Sequence, residues 1–225
     1  MEIPQIQTTD DGSQTLFVPS LDEHYHSVKG ALTESMHIFI RMGLEECTSL
    51  EPRVLEIGFG TGLNAWLTFL ESDKGRKIYY TTLEKYPLPK ELILQLDYPK
   101  LLSPAQAPSY LLIHEAAWNE WVELTPSFML RKMQVDFTTC SLPDEYDVIY
   151  FDAFAPEKQP EMWSQELFDR LYACLSPGGI LVTYCAKGVV RRMLQTSGFV
   201  VERLPGPPGG KREILRGKKI QCNKI

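Results

Sequence analysis

The 225 residues are 44% hydrophobic and 11% aromatic, enough apolar side chain for one large α/β core, and the net charge of −6 argues at first against a polyanionic partner. No apolar run reaches the roughly 18 residues of a membrane span, and Met1-Glu2-Ile3-Pro4 lacks the basic and apolar parts of a signal peptide, so a cytoplasmic protein without membrane association is expected. The five cysteines, Cys47, Cys140, Cys174, Cys185 and Cys222, are odd in number and form no Cys-x-x-Cys pair, which points to reduced, buried thiols rather than a disulfide framework or a zinc site.

A polar segment runs to about residue 20. From Ser27 to Glu46 the apolar positions Val28, Leu32, Met36 and Phe39 recur at helical spacing, and Gly43 is a candidate terminator, so residues 1–50 are expected to form an N-terminal extension that contains a helix. Val54 to Ile57 then reads as a buried strand that runs directly into Gly58-Phe59-Gly60-Thr61-Gly62, with Glu56 just before the glycines. Three glycines at alternate positions let the backbone turn sharply and approach a ligand, and a helix from Leu63 offers its unpaired N–H groups. A dinucleotide fold would need glycine three residues after Gly60, where Leu63 stands, so the spacing fits the S-adenosylmethionine loop of Rossmann-like methyltransferases instead.

Ile78 to Leu83 reads as a second strand. It ends at Glu84, 22 residues after Gly62, where a carboxylate is expected to accept hydrogen bonds from ribose hydroxyls; Lys85 beside it is a further cofactor candidate or a plain surface charge. Residues 86–131 read as a mostly helical insertion interrupted by prolines between Pro99 and Pro108. Met133 to Asp136 ends a third strand, with Asp136 either facing the adenine amino group or serving as a solvated turn acid.

Asp147 to Phe151 forms the fourth strand, followed by the unusual run from Asp152 to Trp163. An acid followed by an aromatic residue and a proline is similar to the Asp-Pro-Pro-Tyr type of motif in amino-group methyltransferases, where a ring stacks on a base and the polar residue holds the nitrogen. Asp152 and Phe154 are therefore the catalytic candidates, with Asp152 also near the cofactor; the alternative is a loop acid capping a helix. A helix near Gln165 to Leu175, a strand from Ile180 to Tyr184, and a hairpin over 199–216 around the breaker-rich Pro205 to Gly210 complete the chain. Alternating strands and helices mean a doubly wound, mostly parallel sheet with an antiparallel hairpin at its edge, in one domain spanning 1–225.

Charge is segregated along this order: residues from Lys187 onward carry +8 and the rest −14. Such a basic end can contact phosphate, and Arg191, Arg192, Lys211 and Arg212, inside expected structure, are candidates for it, whereas Lys218, Lys219 and Lys224 read as a solvated tail. The histidines His24, His26, His37 and His114 show no metal-ligand spacing, so ordinary hydrogen bonding and no metal are expected.

Glu56 to Gly62, Leu83 to Leu88, Asp152 to Trp163, Val190-Arg191-Arg192 and Gly210 to Glu213 together resemble the methyltransferase-domain family of MnmC, which modifies the wobble uridine of tRNA. Asp11-Gly12-Ser13 and Glu23 to Ser35 are similar to its stand-alone members. The match runs over nearly the whole chain, with Asp152 to Trp163 its most specific part. Ala153, Gln159 and Glu161 depart mildly from the glycine, asparagine and aspartate of fused members, and no second glycine fingerprint for a flavin oxidase is present. The resemblance implies a class I S-adenosylmethionine-dependent fold and methylation of the amine of 5-aminomethyl-(2-thio)uridine in tRNA. It also implies Pro156 and Lys158 as further substrate contacts. A small-molecule amine methyltransferase or an aminopropyltransferase on the same fold is the alternative.

Overall fold

A computed structural model describes residues 3–72, 74–142 and 145–220. Cys222 and Lys224 lie outside the described residues, as do the first two residues of Met1-Glu2-Ile3-Pro4. The chain opens with a small antiparallel sheet: β1 (Gln5–Thr8), β2 (Gln14–Val18) and the two-residue β3 (Glu23–His24). The polar start is thus strand rather than featureless coil. Its turn is set by Asp11, which accepts from the Ser13 N–H at 3.0 Å and, 22 residues on, from the Thr33 N–H at 2.9 Å.

Helix α1 (Ala31–Ser35) continues as one π-helical stretch, Met36–Arg41. Gly43 follows it for a steric reason, since a Cβ there would stand 2.4 Å from the Phe39 carbonyl oxygen. Strand β4 (Arg53–Ile57) leads through the glycine loop into α2 (Leu63–Ser72), and β5 (Ile78–Glu84) follows. The insertion is helical only at first, in α3 (Lys90–Ile93), α4 (Tyr98–Leu102) and α5 (Ala107–Glu115). Its second half is instead a hairpin of β6 (Trp121–Thr125) and β7 (Phe128–Gln134). Strand β7 is the expected third strand, but it begins at Phe128, inside the expected insertion, and ends at Gln134, two residues short of Asp136; its apolar alternation is interrupted at Lys132, a fully buried lysine in the inward register.

The remainder is β8 (Tyr146–Phe151), α6 (Gln165–Cys174), β9 (Leu175–Thr183), α7 (Gly188–Ser197), β10 (Val200–Pro205) and β11 (Glu213–Lys218). Ser164 caps α6 by accepting the Leu167 N–H, and Gly198 ends α7 in the left-handed region at φ 108°. The closing hairpin extends two residues beyond its expected limit at 216. Cys47, Cys140, Cys174 and Cys185 are thiols rather than disulfides, although only Cys174 and Cys185 are buried.

The main sheet runs β10-β11-β9-β8-β4-β5-β7-β6; its five inner strands are parallel, with the C-terminal hairpin antiparallel at one edge and β6 at the other. Alternate residues of each inner strand feed opposite faces. Val54, Tyr80, Val148, Tyr150 and Val182 pack toward α2 and the N-terminal helix, while Leu55, Leu83, Ile149, Phe151 and Leu181 join the core beneath α6 and α7. Chain order reverses between β4 and β8, the switch point at which open α/β sheets bind ligands beyond their carboxyl ends.

Candidate active site

A cleft of about 840 Å³ opens at that switch point. This is in the upper part of the roughly 300–1,000 Å³ range of small-molecule sites. Its floor is the glycine loop after β4, its walls are the ends of β5, β7 and β8, and the strap Glu23–Val28 crosses it from the N-terminal extension. The strap is pinned at two points. His26 Nε2 lies in hydrogen-bond range of Thr61 Oγ1 at 2.8 Å, and the Tyr25 ring packs on Gly60, where any Cβ would come within 3.0 Å of it.

The glycine loop is stitched to the end of β5. Gly58 and Phe59 donate to the Leu83 carbonyl at 3.0 and 3.3 Å, and the Gly60 N–H reaches Glu84 Oε2 at 3.1 Å while the Tyr86 N–H reaches Oε1 at 2.8 Å. Gly58 and Gly60 hold φ of 96° and 49°, conformations that side-chain-bearing residues resist. Both line the cleft, as do Glu84, Lys85 and Asp136. Lys85 ion-pairs with Asp136 Oδ2 at 2.7 Å, so it is no solitary surface charge. Asp136 Oδ1 meanwhile accepts from the N–H and hydroxyl of Thr138, and its carboxyl is held down at about 2 by the Lys85 and Thr138 hydrogen bonds.

Two expected cofactor residues do not line the cleft. Gly62 faces away from it: a Cβ there would meet His114 Nε2 at 2.6 Å, so this glycine admits the insertion helix α5. Glu56 is wholly buried on the α2 face of the sheet, accepting the Thr82 hydroxyl at 2.7 Å. Burial, and secondarily the Asp152 charge, push its pKa up to about 8, so it is mostly neutral at pH 7.

Asp152 follows β8 and is half-buried in the cleft wall. Asn64, in the first turn of α2, donates its side-chain N–H to Asp152 Oδ2 at 2.9 Å. Desolvation and then the Glu34 carboxylate raise the Asp152 pKa to about 7, against the lowering effect of Asn64 and Lys211. Glu34 comes from α1, and its Oε1 accepts from Lys211 Nζ at 3.3 Å; that ammonium sits 3.6 Å above the centre of the Tyr184 ring. The Tyr184 hydroxyl donates to the Ala153 carbonyl at 2.9 Å, and the Trp163 indole N–H to the Phe154 carbonyl at 2.8 Å. Phe154 meets Tyr25 edge to face at 5.0 Å, which gives the cleft an aromatic wall.

Of the expected substrate contacts, Pro156, Lys211 and Arg212 line the cleft. Lys158 lies outside the lining and pairs with Asp22 at 3.4 Å. Arg191 and Arg192 also lie outside it, in α7, whose N-cap Lys187 does reach the rim. Three histidines hydrogen-bond as expected, His24 to Gln7, His26 to Thr61 and His37 to the Pro205 carbonyl, whereas His114 Nε2 is buried against Gly62 with no hydrogen-bond partner among the described residues. Among the described residues no cluster of His, Cys, Asp or Glu is arranged to hold a metal, and no helix is long and apolar enough to cross a membrane. Glu34, Asn64, Tyr25 and Tyr184 were not among the expected site residues. Asn64 did carry a signal, a polar residue in the otherwise apolar start of α2.

These features suit an adenosyl cofactor. The glycine loop turns through positive φ at 58 and 60 where it lines the cleft, and Glu84 closes the neighbouring strand with its carboxyl on the cleft wall. The model of a family described as S-adenosyl-L-methionine-dependent methyltransferase matches residues 118–220. The tRNA 5-methylaminomethyl-2-thiouridine biosynthesis bifunctional protein MnmC of Pseudomonas fluorescens is 32% identical over 96% of this chain and 35% of its own length. That of Chromobacterium violaceum is 33% identical over 86% of this chain and 31% of its own. The chain therefore spans about a third of the length of these curated relatives. Among solved structures, MnmC2 from Aquifex aeolicus superposes with a TM-score of 0.79 at 23% identity, covering 98% of this chain and 71% of that one. Spermidine synthase from Thermotoga maritima gives 0.56 at 14%, covering 97% and 70%.

Proposed function

Because the chain belongs to the S-adenosyl-L-methionine-dependent methyltransferases of the MnmC family, we propose that it methylates the amine of 5-aminomethyl-(2-thio)uridine at the wobble position of tRNA. The observation that carries this reading is Asp152: a carboxylate set at the switch point, held by Asn64, beside an aromatic wall, with a proton affinity far above that of an ordinary aspartate. S-adenosylmethionine, when bound, supplies an activated methyl group on a sulfonium. Gly58 and Gly60, which line the cleft, would lie along the adenosyl portion, Glu84 would take the ribose hydroxyls, and the Lys85–Asp136 pair would stand at the base end.

The protein's remaining task is to present a neutral amine. An alkylammonium with a pKa near 10 and an aspartate near 4 differ by about 6 units, or about 8 kcal/mol; with Asp152 at about 7 the gap narrows to about 3 units, about 4 kcal/mol. Asp152 accepts the proton on Oδ1 while Asn64 holds Oδ2, and Phe154 and Tyr25 exclude water from the nitrogen. Lys187 and Arg212 at the rim, with Arg191, Arg192 and Lys158 farther out, contact tRNA phosphates, so a net negative protein still binds a polyanion. Work on tRNA implies a cytoplasmic location. The small-molecule alternative rests on the fold likeness to spermidine synthase alone and is not favoured. Nucleoside mass spectrometry of tRNA from cells lacking the gene tests the proposal: the aminomethyl nucleoside accumulates, and an unchanged nucleoside profile would refute it.

A further inference from the structure

Glu34 sets one carboxyl oxygen on the backbone of the strap and the other on an ammonium. It is 8% exposed and lines the cleft, and its Oε2 accepts the Ser27 N–H at 2.8 Å, a bond that an amide oxygen can also accept, though less strongly. Its other oxygen faces Lys211 Nζ, which also lies 3.6 Å over the Tyr184 ring. Lys211 projects from the loop between β10 and β11, where the Gly206 N–H closes on the Arg212 carbonyl at 3.0 Å. A carboxylate below and an aromatic face beside it are what an alkylammonium ion seeks. The lysine terminus is chemically the same group, CH2–NH3+, as a protonated aminomethyl substituent. The cleft thus already holds one primary ammonium, beside the carboxylate that is to deprotonate another.

We propose that Glu34 and the Tyr184 ring form the ammonium subsite that selects an aminomethyl substrate, and that Lys211 is the resident ammonium which the substrate displaces. This rests on the function proposed above and names how that site recognises its substrate. The substrate enters as R–CH2–NH3+ against Glu34 and Tyr184 and passes one proton to the Asp152 carboxylate. The amine nitrogen then bonds to the methyl carbon as the methyl–sulfur bond breaks, its electron pair going to sulfur and leaving a neutral thioether. The product departs as R–CH2–NH2+–CH3, and Asp152 returns its proton to solvent. A neutral hydroxymethyl group at the same carbon has no charge to offer Glu34 and is rejected.

Asp152 is faced by Glu34 from α1, Glu56 from β4, Asn64 from α2, Tyr80 from β5, Tyr184 beyond β9 and Lys211 from the hairpin loop. Among these Glu34 raises its proton affinity and Lys211 lowers it. Glu34→Gln keeps the acceptor for Ser27 and removes the charge. It is expected to lower kcat/KM for aminomethyl-tRNA about tenfold. In the ligand-free enzyme it should also move the Asp152 carboxyl titration, followed by carbon-13 NMR, to lower pH, with cofactor calorimetry unchanged. Glu34→Asp restores part of both. Lys211→Met, which vacates the subsite and keeps the carboxylate, should tighten binding of the free aminomethyl nucleoside.

An active wild-type enzyme whose Glu34→Gln variant matches it in kinetics and titration overturns the subsite alone. Loss of cofactor binding in that variant makes Glu34 structural and overturns it equally, as does weaker nucleoside binding in Lys211→Met. A folded, cofactor-binding wild type that leaves aminomethyl-tRNA unmethylated overturns the function, and the subsite falls with it.

Discussion

Asn64 donates its side-chain amide to Asp152 at 2.9 Å, which ties the first turn of α2 to the loop after β8 across the ends of the two central strands. The bond favours the ionised carboxylate and so opposes the burial that raises the Asp152 pKa. Asn64→Leu is expected to move the acid limb of kcat/KM to higher pH and to lower the rate at pH 7 about tenfold. A pH–rate profile of the variant checks this, and a limb that stays in place would detach Asn64 from Asp152.

With Asp152 at about 7, its basic form grows as pH rises through neutrality, so kcat/KM climbs about tenfold per unit below pH 7 and levels above it. Asp152→Asn removes that limb and lowers kcat by about 10²–10⁴-fold, with cofactor binding retained in calorimetry. A folded pKa raised above the unfolded value near 4 means that stability is lost as pH rises through 7. The same variant should therefore melt at a higher temperature than wild type at pH 8 and gain little at pH 4.

Burial lowers the pKa of His26 to about 4 and that of His114 to about 3, the latter aided by Lys132. Both are neutral when folded, and the unfolded chain binds more protons between pH 6.5 and 4, so stability falls as pH drops through that window. For His26 alone the loss approaches about 3 kcal/mol. His26→Phe forfeits the Thr61 contact, costing about 1–2 kcal/mol at pH 7. It should also flatten the acid slope of the melting temperature, which scanning calorimetry at several pH values measures.

Gly58 has φ of 96°, and a Cβ there would lie 2.9 Å from the Asp152 carbonyl oxygen. Gly58→Ala should destabilise the protein by more than about 1 kcal/mol and displace the segment that carries Asp152. Gly75 also has a positive φ of 91° but nothing within 4 Å, so Gly75→Ala is expected to pay the backbone strain alone. Denaturant midpoints of the two variants separate steric from conformational cost.

The parts of this molecule legible in sequence are those set by short-range pattern. The strand before the glycines, Glu84 at the end of β5, Asp152 after β8 and the closing hairpin all announce themselves within a few residues. Pattern does not say which way a residue faces: Glu56 alternates onto the α2 side of β4, and Gly62 serves α5 rather than the cleft. The start of β7 at Phe128 was obscured by Lys132 in its buried register, and the N-terminal sheet by a turn whose anchor, Asp11, bonds a helix 22 residues away. Glu34 was illegible because its meaning lies in Lys211, 177 residues distant.

The most direct measurement incubates the purified protein with S-adenosylmethionine and tRNA bearing 5-aminomethyl-2-thiouridine, then digests the tRNA and weighs its nucleosides. The account predicts that the wobble nucleoside gains one methyl group on its amine, and that Asp152→Asn slows this gain by orders of magnitude. A folded protein that binds the cofactor and leaves that nucleoside unchanged would contradict it.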